Sequence, residues 1–350
     1  DVADTLTVTG PISAVAGIPS YASGGGAGGS IWLNCGTFGG TTSGLIRAQG
    51  SKGDGYDPVG VSAAGGGGGG RIAVYCTNLL ATRAVRFCAS AGGSWRSNNW
   101  EASWAHAPQM GTLYLPDTLL LSTNLTDDQF RDVRLFLGVS RWDVTSLIVS
   151  NCAVFFAQEG FVLNVTNGVR VDANAALGVG DPSSGTNVEI LAVGQDLGLT
   201  NGARLYIYTG QTNGLGTNYG ASVNVAGSMI VGPSCWVFPY SHQTNGGAVL
   251  FAMTSLSVAT NGGFNADGKG YGSGQGPGKG LGTGTGWEGG AGYGGRGGDG
   301  SAASCAGGGT YGSVSDPVEP GSAGGSWPGD RKRGGAGGGA IRILAANTVT

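Results

Sequence analysis

The chain has 350 residues, of which 74 are glycine, and a formal net charge of -3. Glycine is about three times as common as in average proteins, while charged residues make up only 11% and hydrophobic residues 40%. The low charge argues against a nucleic-acid partner, the apolar content argues against a disordered chain, and no run of about 18 apolar residues predicts a membrane span.

A short alternating motif begins at "LTVTGPISA", residues 6–14, and returns further along the chain. Its copies lie at 147–156, 163–171, 197–207, 223–231 and 256–264. Alternation with a period of two predicts strands. An asparagine stands at the centre of several copies, where a left-handed backbone turns the chain with little strain. These asparagines are Asn151, Asn167, Asn201 and Asn261.

Two arrangements of these strand pairs fit the motif. Asn-Gly is typical of β-hairpins, so a stack of hairpins is one of them. The other is a β-solenoid, in which each copy forms part of one coil. The copies from residue 147 onwards recur at intervals of 16 to 34 residues, and such irregular spacing favours coils that carry loops of different length.

Glycine tracts lead directly into strands at three places: "GGGAGGSIWLNC" (24–35), "GGGGGGRIAVYC" (65–76) and "GGAGGGAIRILA" (334–345). Aligning their isoleucines puts Cys35 and Cys76 at the same position of successive units, which makes them a candidate disulfide pair. The tracts themselves fit either a bundle of extended polyglycine helices, which only residues without a Cβ can form, or flexible surface loops.

The segment from 94 to 106 concentrates the tryptophans Trp95, Trp100 and Trp104. Three roles fit it: a loop that packs over an end or flank of the fold, a carbohydrate contact, or a contact between subunits. The segment "TDDQFRDVRLFL" (126–137) is predicted to be a short helix, with Thr126 and Asp127 at its N-terminus.

No pattern of acids or histidines indicates a reaction. His106 and His242 lack a metal-ligand spacing, and the five acids between 145 and 260 share no position in the repeat. We therefore expect no catalytic residues, no metal and no cofactor. The segment "GGRGGDG" (294–300) is similar to calcium-binding glycine-aspartate repeats, but it occurs only once in the sequence and its spacing differs.

Together these patterns predict an all-β fold, a β-solenoid resembling a parallel β-helix, with glycine-rich extended or polyglycine-helix modules. The expected organisation is a glycine-rich β module at 1–92, a tryptophan-rich connecting loop at 93–111, an irregular solenoid region at 112–260 and a second glycine-rich β module at 261–350.

The alternation of strand pairs with "GGGGGGRI"-like returns resembles the glycine-rich tandem repeats of bacterial surface and adhesin-like β-solenoid proteins. The hexaglycine tract alone is also similar to the glycine-rich extracellular region of anaplastic lymphoma kinase, which bears on packing rather than on signalling. The first resemblance, with the even number of cysteines, implies an extracellular or cell-surface location.

Joining residue 350 to residue 1 yields "AIRILAANTVTDVADTLTVTG", a glycine return followed by the next strand pair. The chain is then one period of a tandem array, a subunit that associates head to tail, or a segment with an arbitrary boundary. The expected junction consists of apolar residues near both termini: Val2, Leu6, Val8, Ile341, Ile343 and Val349.

The leading hypothesis for function is therefore a structural subunit or repeat of an extracellular fibre whose partner is another copy of itself. The alternatives are a carbohydrate-binding adhesin module and a solenoid enzyme that degrades polysaccharides.

Overall fold

The computed structural model describes residues 1–20, 23–53, 64–93, 108–180, 189–211, 219–282, 287–301, 304–327 and 334–350. Over these residues the regular secondary structure is all β-strand, with no helix. The chain forms two compact units, one of residues 1–139 and 148–157 and the other of residues 140–147 and 158–350.

The first unit contains stacks of parallel strands. The first stack has the order β1 (Val2–Val8), β3 (Ser30–Gly40), β5 (Arg71–Arg83), β7 (Thr112–Leu115), β10 (Val133–Leu137) and β13 (Ala153–Phe156). The second has the order β2 (Pro11–Ser13), β4 (Leu45–Arg47), β6 (Arg86–Cys88) and β9 (Phe130–Arg131). In addition, β8 (Asn124–Thr126) pairs with β12 (Leu147–Ser150) through Ile148–Ser150.

The second unit is built from the same kind of stack. One stack contains β11 (Arg141–Val144), β14 (Val162–Val165), β17 (Glu189–Val193), β20 (Ala221–Val231), β22 (Val249–Val258) and β24 (Ile341–Ala345). β15 (Val169–Asp172) pairs with β18 (Leu197–Leu199), and β18 pairs with the second half of β20. A further stack contains β16 (Ala176–Val179), β19 (Arg204–Tyr208), β21 (Trp236–Tyr240) and β23 (Gly263–Phe264).

Strand pairs within both units are parallel, so the hairpin arrangement, which requires antiparallel pairs, is wrong. The register places like residues side by side. The predicted alignment of Ile31 with Ile72 and of Cys35 with Cys76 is confirmed. The column that starts at Ile31 continues through three further strands as Leu113, Leu135 and Phe156.

Buried columns of apolar side chains form the core. The column from Ile31 to Phe156 is at most 8% exposed, and each side chain in it removes apolar area from water. A second column stacks Phe38 on Phe87 and Phe87 on Phe130, with ring centroids 6.2 and 6.0 Å apart. In the second unit a column of Leu163, Leu191, Val223 and Phe251 is fully buried.

Asparagine turns occur where the sequence predicts them, with one exception. Asn151, Asn201 and Asn261 have φ of 55°, 52° and 62°, within the left-handed region. Asn167 is the exception, since its φ is not in the left-handed region. Its backbone N–H donates to Thr145 O of the preceding turn, at 2.7 Å. The left-handed position is tolerated by asparagine because its short polar side chain bonds locally.

The helix predicted over residues 126–137 is wrong. The segment instead forms the end of β8, a turn, β9 and β10, and its apolar residues Phe130, Val133, Leu135 and Leu137 are buried in the strand stacks. Asp132, with φ of 51°, turns the chain between β9 and β10. The spacing of these apolar residues suits one helix face as well as two short strands, and the neighbouring strands decide between them.

The glycine tracts of the first unit bond to one another through their backbones. Gly25 N donates to Gly65 O (2.9 Å), Gly28 N to Gly68 O (3.0 Å) and Gly92 N to Gly67 O (2.6 Å). In the second unit, Gly290 N donates to Gly298 O, Gly297 N to Gly308 O, and Gly308 N to Gly290 O, each at 2.9 Å. These tracts are thus ordered against each other by hydrogen bonds.

The close approach of the tracts depends on the missing Cβ. A Cβ on Gly67 would overlap the carbonyl oxygen of Gly26, and one on Gly66 would overlap that of Gly92. At Gly68 the nearest heavy atom to a new Cβ is Gln109 O at 3.7 Å, and at Gly65 nothing lies within 4 Å. Open positions three residues apart match an extended helix with three residues per turn.

We expect Gly67→Ala to lower the free energy of unfolding by about 1 to 3 kcal/mol, because backbone atoms must move to admit the methyl group. Gly68→Ala lies one residue away in the same tract, and we expect it to be neutral or to stabilise by about 0.4 to 1 kcal/mol. Urea unfolding of both variants measures the difference. Equal effects at the two positions would contradict the packed arrangement of the tract.

Candidate functional site

The strand β1 leaves an uncovered apolar edge on the first unit. Among the described residues, its backbone pairs only with β3, with Val2 opposite Cys35, Leu6 opposite Phe38 and Val8 opposite Gly40. Cys35 and Phe38 point into the core, so Val2 and Leu6 extend buried columns by one step. Because no described strand covers them, Val2 is 37% exposed and Leu6 is half-buried, whereas Val8 is buried.

The strand β24 leaves a corresponding edge on the second unit. Ile341 lies opposite Val249 and Ile343 opposite Phe251, and Val349 forms an isolated bridge with Leu256. Val249 and Phe251 are fully buried, while Ile341 is 42% and Val349 is 64% exposed. The apolar columns of this unit therefore end on side chains that face water at the last strand.

Within the part of the chain that the structure describes, β1 and β24 each pair with a strand on one side only, and the backbone groups of the other side lie beside exposed apolar side chains. Such an edge is a template for pairing with another strand, and proteins usually cover it or charge it. The junction residues expected from the sequence lie on these two edges: Val2, Leu6 and Val8 on β1, Ile341 and Ile343 on β24, and Val349 just after it. Strand addition in parallel register is the interaction that this arrangement supports chemically.

Trp95, Trp100 and Trp104 lie outside the described residues, as does His106. A different aromatic group, which the sequence analysis missed, lies on the outward face of the first stack. Trp32 and Tyr75 have ring centroids 6.0 Å apart, and Tyr75 and Tyr114 have centroids 5.3 Å apart. We call these three residues the aromatic ladder.

The signal for the aromatic ladder was present in the sequence. The aligned strands "SIWLNC" and "RIAVYC" alternate inward and outward positions, and their aromatic residues fall on the outward ones. Trp32 is 55% and Tyr75 is 37% exposed. Only the pairing of β7 with β5 adds Tyr114 to them.

Cys35 and Cys76 are register partners and both are free thiols in this structure, so the disulfide between them stays a prediction. Cys35 is buried, and its Sγ lies 3.7 Å from Tyr75 O. Burial raises the pKa of the Cys35 thiol. Burial, together with the nearby Cys35 and Asp117, raises the pKa of Cys76 to about 11.

Several carboxylates of the described residues accept hydrogen bonds from other segments of the chain. Asp172 accepts hydrogen bonds from Asn201 Nδ2 and Ala173 N, both at 2.7 Å, and Asp196 accepts one from Ser228 N at 2.7 Å. Asp299, within the glycine-aspartate motif, accepts from Gly307 N at 2.8 Å and pairs with Arg296 at 3.0 Å. These carboxylates hold chain segments together.

The described part of the chain contains no group of three or more His, Cys, Asp or Glu side chains that could hold a metal ion. Within the same residues no helix offers the length and apolar character of a membrane span.

His242 is a buried histidine within a turn. Its Nδ1 accepts a hydrogen bond from Asn245 N at 3.2 Å and lies 3.2 Å from Thr244 Oγ1, and its backbone N–H donates to Gly247 O at 2.7 Å. Burial lowers the pKa of its imidazole, because the charged form loses its hydration. The neutral ring with Nδ1 as acceptor fits these contacts.

In reduced, folded protein we expect Cys76 to react with iodoacetamide at pH 8 about a hundredfold more slowly than in the unfolded chain, because the raised pKa depletes the thiolate. Mass spectrometry of alkylated peptides with and without guanidinium measures the ratio. Equal rates would contradict the raised pKa. Mapping without reductant separately tests the disulfide, which a linked peptide pair containing Cys35 and Cys76 would establish.

We expect stability to fall as the pH drops through about 6.5, because unfolded His242 binds a proton that the folded protein resists. The urea midpoint of the wild-type protein should be lower at pH 5.5 than at pH 7.5, and His242→Gln should reduce that difference. The chain has only two histidines, and His106→Gln is the variant that measures how much of the difference the other histidine contributes. An unchanged slope in His242→Gln would contradict the assignment.

Comparison of the chain with protein-family models, with curated proteins and with solved structures finds no match.

Proposed function

We propose that the chain is a structural subunit or repeat of an extracellular filament or cell-surface fibre, in which copies associate head to tail. The observation that carries the proposal is the pair of uncovered apolar edges, on β1 of the first unit and on β24 of the second. An open edge that continues a buried column favours addition of a further strand, and a contact between two different edges need not close.

The proposed architecture is a β-solenoid. Within the first unit, β1, β3 and β5 of one stack are each followed in sequence by β2, β4 and β6 of the other. Within the second unit, β14 and β15 are followed along the chain by β17 and β18, which pair with them in parallel. A chain that returns to the same stack after each set of strands supports a coil, with polyglycine helices packed in the glycine-rich excursions.

The proposal assigns no reaction to the chain and places it outside the cell. A structural role is supported by how the second unit uses its acids: Asp172 accepts a hydrogen bond from Asn201 Nδ2, and Asp196 accepts one from Ser228 N, so each carboxylate links two segments of the chain. The extracellular location rests on the resemblance to glycine-rich surface proteins and on the composition.

We expect purified wild-type protein to form filaments in electron micrographs, with a band near 34.6 kDa on reducing, denaturing gels if the copies are separate chains. A far larger band from native material would indicate covalent tandem repeats. Protein that stays monomeric at every concentration up to the millimolar range would contradict the head-to-tail proposal.

Lysine substitutions on the two edges test the polarity of the contact. Val2→Lys and Ile341→Lys should each be monomeric, because every contact needs one β1 edge and one β24 edge. Mixing the two variants should give dimers and nothing longer, since each retains one intact edge. A symmetric contact would instead leave one of the variants dimeric by itself.

The matched control is Val314→Lys, at a fully exposed valine that belongs to neither β1 nor β24. It should assemble as the wild type does, and Val349→Lys should not. Disassembly by both valine substitutions would indicate a nonspecific effect of charge. Light scattering during size-exclusion chromatography measures the masses.

A further inference from the structure

The aromatic ladder presents partly exposed rings on the outward side of the first stack of the first unit. Trp32, Tyr75 and Tyr114 come from three consecutive strands, β3, β5 and β7, and their centroids follow each other at 6.0 and 5.3 Å. Phe136 of β10 lies beside Tyr114 in register and continues the row on the same outward face. The result is a strip of partly exposed rings that crosses four strands.

The charge of this face is positive. The outward positions at and beside the ladder lie on β3, β5, β7 and β10. They carry two arginines and no acid: Ser30, Trp32, Asn34, Arg71, Ala73, Tyr75, Thr112, Tyr114, Arg134 and Phe136. Arg71 and Arg134 both pair in register with Thr112, so they occupy one column beside the rings. This is unlike the chain as a whole, whose net charge is -3.

The arginines differ in their contacts. Arg71 is exposed, and none of the ion pairs between described residues involves it. Arg134 lies over the ring of Phe136, with its guanidinium carbon 5.8 Å from the ring centroid. At the far margin of the face, Asn34 Nδ2 donates to the carboxylate of Asp1 at 2.8 Å. The guanidinium column thus lies on the side of the rings away from that carboxylate.

We propose that the aromatic ladder binds an acidic polysaccharide built of uronic acid residues. The apolar faces of successive sugar rings would stack on Trp32, Tyr75 and Tyr114, because aromatic rings offer large apolar area at little cost in side-chain entropy. The sugar carboxylates would pair with Arg71 and Arg134, whose planar guanidinium matches a carboxylate in two hydrogen bonds.

A polysaccharide fits this face better than a folded protein partner. The rings repeat at each strand step, a spacing comparable to the length of one sugar residue in a chain, and a repeating ligand can meet each ring in the same way. The positive column beside the rings selects an anionic chain over a neutral one. The ladder residues lie on β3, β5 and β7 and not on β1 or β24, so this proposal does not depend on the assembly proposal.

The test is binding of a fluorescently labelled mannuronate hexasaccharide to the full chain, followed by fluorescence anisotropy, with a neutral mannohexaose of equal length for comparison. We expect the wild-type protein to prefer the acidic hexasaccharide, with affinity falling as salt rises. Trp32→Ala and Tyr75→Ala should each weaken binding about tenfold, and Tyr75→Phe, which keeps the ring, should retain it.

Arg71→Ala should weaken binding of the acidic probe about tenfold and reduce its salt dependence, whereas Arg71→Lys should lose less. Arg83→Ala, at an exposed arginine on the same strand, and Trp287→Ala, at a tryptophan that is 83% exposed, are the matched controls and should bind as the wild type does. Circular dichroism melting of each variant separates lost binding from lost folding.

The proposal is overturned if the wild-type protein binds neither probe or binds both with equal affinity. It is likewise overturned if the control variants lose binding as strongly as Trp32→Ala does. Tighter binding of a single-stranded oligothymidylate than of the acidic hexasaccharide would assign the face to nucleic acid instead. Filament formation should be unchanged in Trp32→Ala, so failure here and failure of assembly are distinguishable.

Discussion

Parallel pairing of strands in matched register is the constraint on which the rest of the structure depends. Where the register is regular, each residue lies beside its equivalent in the next strand, so a position that faces inward in one strand faces inward in the next; register shifts interrupt this rule within the pairs β1–β3, β3–β5, β17–β20 and β20–β22. The column of Ile31, Ile72, Leu113, Leu135 and Phe156 follows from this rule. A slip by one residue would turn the whole column toward water, and the buried apolar area therefore fixes the register.

The glycine tracts satisfy a different requirement, the close approach of one backbone to another. In the six-glycine tract, a Cβ on Gly66, Gly67, Gly69 or Gly70 would overlap backbone atoms of neighbouring segments, while a Cβ on Gly65 or Gly68 would not. Glycine loses more conformational freedom on folding than any other residue, and the backbone hydrogen bonds between tracts offset part of that loss. The tracts end immediately before β3 and β5, so this packing reaches the start of each strand.

The same repetition that builds the core creates the two features on which the proposals rest. Inward columns must end somewhere, and on β1 and β24 they end on exposed valine and isoleucine. Outward side chains are not needed to fill the core, so the aromatic and basic residues on β3, β5, β7 and β10 are available for a ligand. A fibre that self-associates through its edges and holds acidic polysaccharide on one face would combine both.

By itself the sequence determined the strand periodicity and the left-handed turns at Asn151, Asn201 and Asn261, because each depends on residues close in the chain. It also determined the alignment of Ile31 with Ile72 and of Cys35 with Cys76, because the same glycine-strand motif occurs in both segments. It did not determine the strands at 126–137, where the spacing of apolar residues suits a helix face equally well. The parallel pairing, the spacing of blocked and open glycines, and the meeting of Trp32, Tyr75 and Tyr114 were decided only by the tertiary structure. Each of these joins segments tens of residues apart, and no local pattern specifies which of them become neighbours.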